Sequence, residues 1–201
     1  MSPPPLPERE DIALLEPFEG LGLKDIRVVA SADDAADAAA ALRASRVVGF
    51  DTESKPTFAK NEVSGGPHVI QFATRDQAWL FQLHRSEFHD TLAMLLGDAA
   101  LTKAGFGLSS DLSLIRQRFG VEPQGVLDLD SEFRRRGYRR SVGVKTAVAL
   151  VFERRFVKSR KATTSNWANR QLTDAQLRYA ANDAYAAFRI FDALGIGSPP
   201  G

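Results

Sequence analysis

The stretch Val47-Val48-Gly49-Phe50-Asp51-Thr52-Glu53 limits what this chain can become more than any other. Its apolar, β-branched opening reads as a strand buried on both faces, the kind found in the middle of an α/β sheet. The run then closes on two carboxylates. Side chains alternate across a strand, so Asp51 and Glu53, at i and i+2, point the same way. A buried central strand that delivers two acids to one spot makes a poor core and a good metal site. The same letters also fit a solvated turn continued by Ser54, Lys55 and Pro56, and a D-x-E pair alone is too short and common to choose between the two.

At 201 residues and 44% hydrophobic content the chain can bury a real core and is most simply one domain. No run is long and apolar enough to cross a bilayer. The start, Met1-Ser2-Pro3-Pro4-Pro5-Leu6-Pro7, lacks the basic and apolar regions of a signal peptide and passes into Glu8-Arg9-Glu10-Asp11. Its proline density predicts an extended, semi-rigid tail over residues 1–22, ahead of a globular part at 23–196 and a short tail at 197–201. Cysteine is absent, which excludes disulfides and thiolate metal sites and is compatible with a cytoplasmic protein. His68, His84 and His89 show no ligand spacing, so zinc is not expected.

The formal net charge of +1 hides an asymmetry. Residues 1–130 hold 12 Lys and Arg against 20 Asp and Glu, whereas residues 131–170 hold 12 against 2. The basic segment is rich in arginine: Arg134, Arg135, Arg136, Arg139, Arg140, Arg154, Arg155 and Arg160, with Lys158 and Lys161. A scattered basic segment is usually a solvated helix face, but arginine's planar fork matches phosphate, which favours a polyanionic partner.

Along the chain, residues 26–30 read as a first strand, and Ser31 as the N-cap of an alanine-rich helix over about 32–44. After the central strand, residues 54–67 form a loop with Gly65, Gly66 and Pro67. Residues 69–74 and 78–82 read as an antiparallel hairpin turned at Arg75-Asp76. Residues 89–96 have helical apolar spacing. Residues 101–106 then return as a strand parallel to the central one. Ser109 or Ser110 can cap the helix that carries Asp111, Leu114 and Ile115. A short strand at 126–129, a basic helical stretch at 131–137 and a helix at 144–152 follow, with residues 156–170 irregular around Trp167. Thr173-Asp174-Ala175-Gln176 is a capping box for the last helix, and Gly195 sits where a C′ glycine belongs. On that helix Tyr179 and Asp183 are i, i+4 and share a face. The pattern predicts an α/β fold, a mixed sheet covered by helices on both faces.

Four carboxylates thus stand out: Asp51 and Glu53 at a strand end, Asp111 near a helix start, and Asp183 within a helix. Singly, Asp111 could serve the helix dipole, Asp183 could be solvated, and Tyr179 could be a core aromatic with its hydroxyl at the rim. Jointly they point to a site. Two carboxylates about 4 Å apart repel by about 4 kcal/mol at an effective dielectric near 20. Gathered in one cleft, some would stay protonated at neutral pH unless divalent cations bound between them. An all-oxygen ligand set selects hard ions, Mg²⁺ or Mn²⁺. A pair of such ions roughly 3.5–4 Å apart suits an in-line phosphoryl displacement. Tyr179, with an ordinary pKa of about 10, suits orienting the attacking water better than deprotonating it.

Three segments, Phe50-Asp51-Thr52-Glu53, Lys103-Ala104-Gly105-Phe106-Gly107-Leu108-Ser109-Ser110-Asp111 and Tyr179-Ala180-Ala181-Asn182-Asp183-Ala184-Tyr185, resemble the three motifs of the DEDDy 3′–5′ exonucleases. Ser165-Asn166-Trp167, with Arg170-Gln171-Leu172-Thr173, is similar to the ribonuclease D and Werner syndrome exonuclease branch. The resemblance runs from about residue 26 to 194. It implies a ribonuclease H-like fold, an exonuclease domain at 23–196, hydrolysis of DNA or RNA from the 3′ end and release of nucleoside 5′-monophosphates. It also implies that Asp51, Glu53 and Asp183 hold a first metal ion, that Asp51 bridges to a second, that Asp111 acts on the second directly or through water, and that Tyr179 positions the nucleophile. Two departures stand out. Ribonuclease D carries further helical domains after the catalytic one, so affinity here is expected from the domain's own surface or from a partner, with a ring or dimer as one solution. Ser54-Lys55-Pro56 follows Glu53 where relatives often place a bulky apolar residue. A catalytically silent nucleic-acid-binding module and an endonuclease on the same fold are the competing readings.

Overall fold

The computed structural model describes residues 5–56 and 65–196. Residues 1–4 of the proline-rich start, 57–64 of the expected loop and the tail at 197–201 lie outside the described residues. Six strands, β1 (Ile26–Val28), β2 (Val47–Glu53), β3 (Val69–Ala73), β4 (Ala78–Gln82), β5 (Thr102–Gly105) and β6 (Val126–Asp128), form one sheet. Their order is β1-β4-β3-β2-β5-β6. β2 is antiparallel to β3 and parallel to β5, and β3 is antiparallel to β4, so the expected hairpin and parallel return are both present. The helices are α1 (Arg9–Leu14), α2 (Ala32–Ser45), α3 (His89–Gly97), α4 (Ser109–Phe119), α5 (Leu129–Arg135), α6 (Val144–Phe152), α7 (Arg160–Thr163) and α8 (Asp174–Ala193). Among the described residues, no helix is long and apolar enough to cross a membrane.

Period-two alternation sends Val48 and Phe50 of β2 to one face of the sheet. There they join Ile70, Phe72 and Phe81 and pack on Ala38 and Leu42 of α2, Leu92 and Leu95 of α3 and Ile115 of α4. Phe50, Phe72, Phe81 and Phe88 stack in sequence with centroids 5.4, 6.0 and 6.2 Å apart. Fully burying a side chain of this size stabilises the fold by about 1.5–3 kcal/mol before entropy is counted. On the opposite face Val69, Ala73 and Leu80 meet Ala180, Ala181 and Ala184 of α8. Farther along, Ala104 and Phe133 meet Ala147, Val148, Ala187 and Ile190. The mixed sheet is therefore covered on both sides, as its pattern predicts.

What positions α8 is the absence of side chains. A Cβ on Gly49 would lie 1.8 Å from the carbonyl oxygen of Ala184, so the helix backbone rests directly on β2. The alanines of α8 permit that approach, and its N-terminus is held by the expected capping box. The Thr173 hydroxyl accepts from Gln176 N–H, and the Gln176 amide oxygen accepts from Thr173 N–H. The Gln176 amide also donates to Ser165 Oγ and the Asn166 carbonyl, fastening the segment that leads to Trp167. Lys103 is buried in β5, where its ammonium donates to the carbonyls of Leu95, Asp98 and Leu101 at 2.8–2.9 Å. These carbonyls end α3 and the turn after it, so a charged side chain closes the helix from within the core.

Three expectations are corrected. Neither Ser109 nor Ser110 caps α4, which begins at Ser109 behind Leu108 without a side-chain cap. Gly107, at φ +63°, turns the chain, and the buried side chain of Leu108 sets the entry angle instead. The start is not an extended tail as far as residue 22. Residues 9–14 are helical, Phe18 N–H donates to the Arg155 carbonyl, and Leu21 is buried with its N–H bound to Asn182 of α8. Phe18 and Leu21 have apolar surface that the body of the domain covers. Finally, the expected irregular stretch 156–170 contains α7 and buries Trp167 completely.

Candidate metal centre

β2 and α8 carry the cluster. Gly49, Asp51 and Glu53 share the face of β2 on which α8 lies, and the close approach at Gly49 brings Asp183 over the end of the strand. Asp51, Glu53 and Asp183 each present a carboxylate oxygen, and the three oxygens lie within 4.8 Å of one another. Asp183 is 5% exposed; its Oδ2 meets the Lys158 ammonium at 2.7 Å, while its Oδ1 has no donor among the described residues. A buried carboxylate oxygen left without a donor is costly unless a cation neutralises it.

The electrostatics agree. Burial, then the charge of Asp183, pushes Asp51 well above the usual carboxylate range. Burial and the charges of Asp51 and Asp183 push Glu53 up to about 9. Asp183 is raised by its burial, against the opposing pull of Lys158. These shifts favour the protonated acids, most of all Glu53, and divalent cations favour the ionised forms. All-oxygen donors, orphaned buried oxygens and mutual repulsion together fit a hard divalent ion.

Asp111 and Tyr179 stand differently. Asp111, at the start of α4, lies outside the close three-oxygen group; its Oδ1 accepts from the Thr52 hydroxyl at 2.7 Å. Burial raises its pKa, while the Thr52 hydrogen bond works the other way. It still acts on Asp51 and Glu53 through its charge. Tyr179 is half-buried one turn before Asp183, its ring 5.7 Å from that of Trp167 and its oxygen accepting from Thr163 Oγ1 at 3.2 Å. Burial and the Asp183 charge raise its phenol above the ordinary value, so it stays protonated.

Two residues enter the site that sequence reasoning does not place there. Lys158, counted above among the phosphate-tracking cations, pairs with Asp183, Nζ to Oδ2 at 2.7 Å, and lies 5.2 Å from the centre of the Tyr179 ring. Burial opposes its charge, but Asp183 and its neighbours hold the ammonium's pKa above the lysine norm. Gln71 faces Asp51 across the antiparallel β2–β3 ladder, fully buried, with no hydrogen-bond partner for its side-chain amide among the described residues. The rest of the basic segment is partly engaged within the domain: Arg134 pairs with Asp130, Arg135 with Glu132, and Arg136 donates to the Leu194 carbonyl. Arg139, Arg140 and Arg170 remain exposed. Beside the carboxylates, a cavity of about 430 Å³ is lined by Phe156, Lys158, Arg178, Tyr179, Asn182 and Asp183.

Comparison with known proteins agrees with this geometry. The profile of a family described as 3′–5′ exonuclease matches residues 26–196, and the chain belongs to that family. It is 30% identical over 151 residues to the mouse bifunctional 3′–5′ exonuclease/ATP-dependent helicase WRN, covering 74% of this chain and 11% of that protein. It is 32% identical over 173 residues to the Aedes aegypti exonuclease mut-7 homolog, covering 74% and 23%. The chain thus spans less than a quarter of either relative. Among solved structures, the Aedes aegypti Nibbler EXO domain superposes with a TM-score of 0.73 at 26% identity, over 87% of this chain and 89% of that one. Escherichia coli RNase D, an exoribonuclease, superposes at 0.72 and 25% identity over 85% and 44%. The fold is ribonuclease H-like, as the motifs imply.

Proposed function

We propose that the chain hydrolyses nucleic acid from the 3′ end, one nucleotide at a time, releasing nucleoside 5′-monophosphates. The observation that carries this reading is the meeting of Asp51, Glu53 and Asp183 within 4.8 Å where β2 ends under α8. In this reading the three acids would hold Mg²⁺ or Mn²⁺, with Asp111 placed nearby to help hold a second ion. Bound there, two such ions would acidify water and offset charge on the attacking and leaving oxygens of a phosphodiester. The remaining work belongs to side chains. Tyr179, protonated and held by Trp167 and Thr163, is placed to orient the attacking water through its hydroxyl rather than to take its proton. Thr52 fixes the carboxylate of Asp111. Exposed arginines of residues 131–170 receive the phosphate backbone. The catalytic unit includes the packed residues 15–22 as well as 23–196, and the absence of cysteine suits a cytoplasmic setting.

The test is incubation of the purified chain with Mn²⁺ and 5′-labelled DNA and RNA oligonucleotides, single-stranded and duplex, beside circular and 3′-blocked substrates. The expected result is a ladder shortened from the 3′ end with mononucleotide release, and resistance of the closed and blocked substrates. Retention without cleavage would make the chain a binding module, and internal fragments from circles would make it an endonuclease. The ratio of rates on matched DNA and RNA reports how the site receives the 2′-hydroxyl.

A further inference from the structure

Lys158 already occupies one oxygen of Asp183. Its Nζ is 2.7 Å from Asp183 Oδ2 and 5.2 Å from the centre of the Tyr179 ring, with the Phe156 ring 5.9 Å away on another side. A carboxylate, the faces of two aromatic rings and the nearby charge of Asp51 make a cation box for the ammonium. Yet Asp183 is also one of the three acids whose oxygens converge. A divalent ion taken up by Asp183 would share its carboxylate with an ammonium at contact distance, and two cations so close repel strongly. One has to leave, and only the lysine is tethered to a route out.

That route is visible. Residues 156–159 lie between α6 and α7 without regular structure. Phe156, buried, anchors one side, and Ser159 Oγ, accepting from Ala162 N–H, anchors the other. Between them Val157 is 64% exposed and Lys158 carries a flexible four-carbon stem, so rotamer changes alone can carry the ammonium from Asp183 into the adjoining cavity. Arg178 lines the same cavity, so the freed ammonium would join a second cation beside the carboxylates, a pair suited to the phosphate of an incoming strand.

We propose that Lys158 is a positioning residue with two places: it holds Asp183 as an internal counter-ion until divalent cations bind, and it then turns to the phosphate backbone of the nucleic acid. The proposal rests on the reading of Asp51, Glu53 and Asp183 as metal ligands. It couples metal loading to substrate capture, since the cation that displaces the ammonium from Asp183 frees one positive charge for the substrate.

The experiment uses the full chain and its Lys158→Met and Lys158→Gln variants, both long enough to keep the stem's packing. Mn²⁺ affinity without nucleic acid is measured from the electron paramagnetic resonance of free Mn²⁺, and KM and kcat on a labelled oligonucleotide at saturating Mn²⁺. If Lys158 leaves Asp183 in about one molecule in ten, its removal tightens Mn²⁺ binding about tenfold. KM for the oligonucleotide rises at saturating metal while kcat changes less, and Lys158→Arg restores KM. Mn²⁺ binding that is unchanged or weaker in both variants, with the wild type binding normally, overturns the proposal and leaves the metal centre standing. An unchanged KM overturns its second half. A wild-type chain that binds no Mn²⁺ removes the metal centre itself and this proposal with it.

Discussion

Asp183 concentrates the chemistry at the scale of single residues, because it is buried, left with one oxygen unpaired and shared between two candidate cations. Replacing it or Asp51 with alanine removes a proposed ligand and part of the repulsion that favours a metal ion. Each variant is expected to lose at least about a thousandfold in rate, roughly 4 kcal/mol of barrier, measured as steady-state hydrolysis of a labelled oligonucleotide; normal turnover by either would refute the assignment. Tyr179→Phe is expected to lower kcat while leaving Mn²⁺-dependent thermal stabilisation intact, because the phenol is not a ligand. Loss of that stabilisation would show that the hydroxyl reaches the metal. That Asp51 and Glu53 share a face was legible from period-two alternation, and that Tyr179 and Asp183 do from i, i+4 spacing. That Asp183 joins the strand acids was implied by the resemblance of the three motifs, since no local rule brings a helix onto a strand so far back in the chain. Lys158 was not legible, since nothing local separates the lysine that folds back onto an acid from its basic neighbours. Gln71 was hidden for a similar reason, as its place opposite Asp51 depends on the register between two strands.

Among the elements, β2 and α8 make the site, and Gly49 sets the distance between them. Gly49→Ala would place a methyl group against backbone rather than a movable side chain, forcing α8 outward. Overpacking of this kind costs about 1–3 kcal/mol or more, and the displaced helix would carry Asp183 with it. The variant is therefore expected to show both a lower urea midpoint and weaker Mn²⁺ binding. A loss of stability with unchanged Mn²⁺ affinity would mean that α8 does not set the metal geometry. The boundaries of α8 were readable because its capping box is a side-chain code. The start of α4 was not, because a buried leucine and a turn at Gly107 replaced the expected serine cap.

For the whole molecule, the gathering of acids makes stability depend on pH and metal together. An acid whose pKa is higher folded than unfolded binds more protons in the folded state between the two values, so stability falls as pH rises across that window. For Glu53 the window runs from 4.5 to about 9, and Asp51 and Asp183 shift in the same direction. The contribution is fully present below the window and lost above it. The chelator-treated chain should therefore melt at progressively lower temperature from about pH 5 to about pH 9. Saturating Mn²⁺ should remove most of that decline by favouring the ionised acids. A melting temperature that rose with pH in chelator would contradict the raised values. At this scale the sheet was legible in its hairpin and parallel return, whereas the pairing of β1 beside β4 was not, because it joins segments about fifty residues apart with no turn to announce it.

In the proposed function Asp51 and Glu53 at the end of β2 bind divalent cations together with Asp183, which lies far along the chain on α8. Crystals soaked in Mn²⁺ and measured for anomalous scattering test it most directly. The expected result is a peak among the three carboxylates, with the Lys158 ammonium moved off Asp183; three carboxylates facing separate regions with no peak among them would overturn the metal centre.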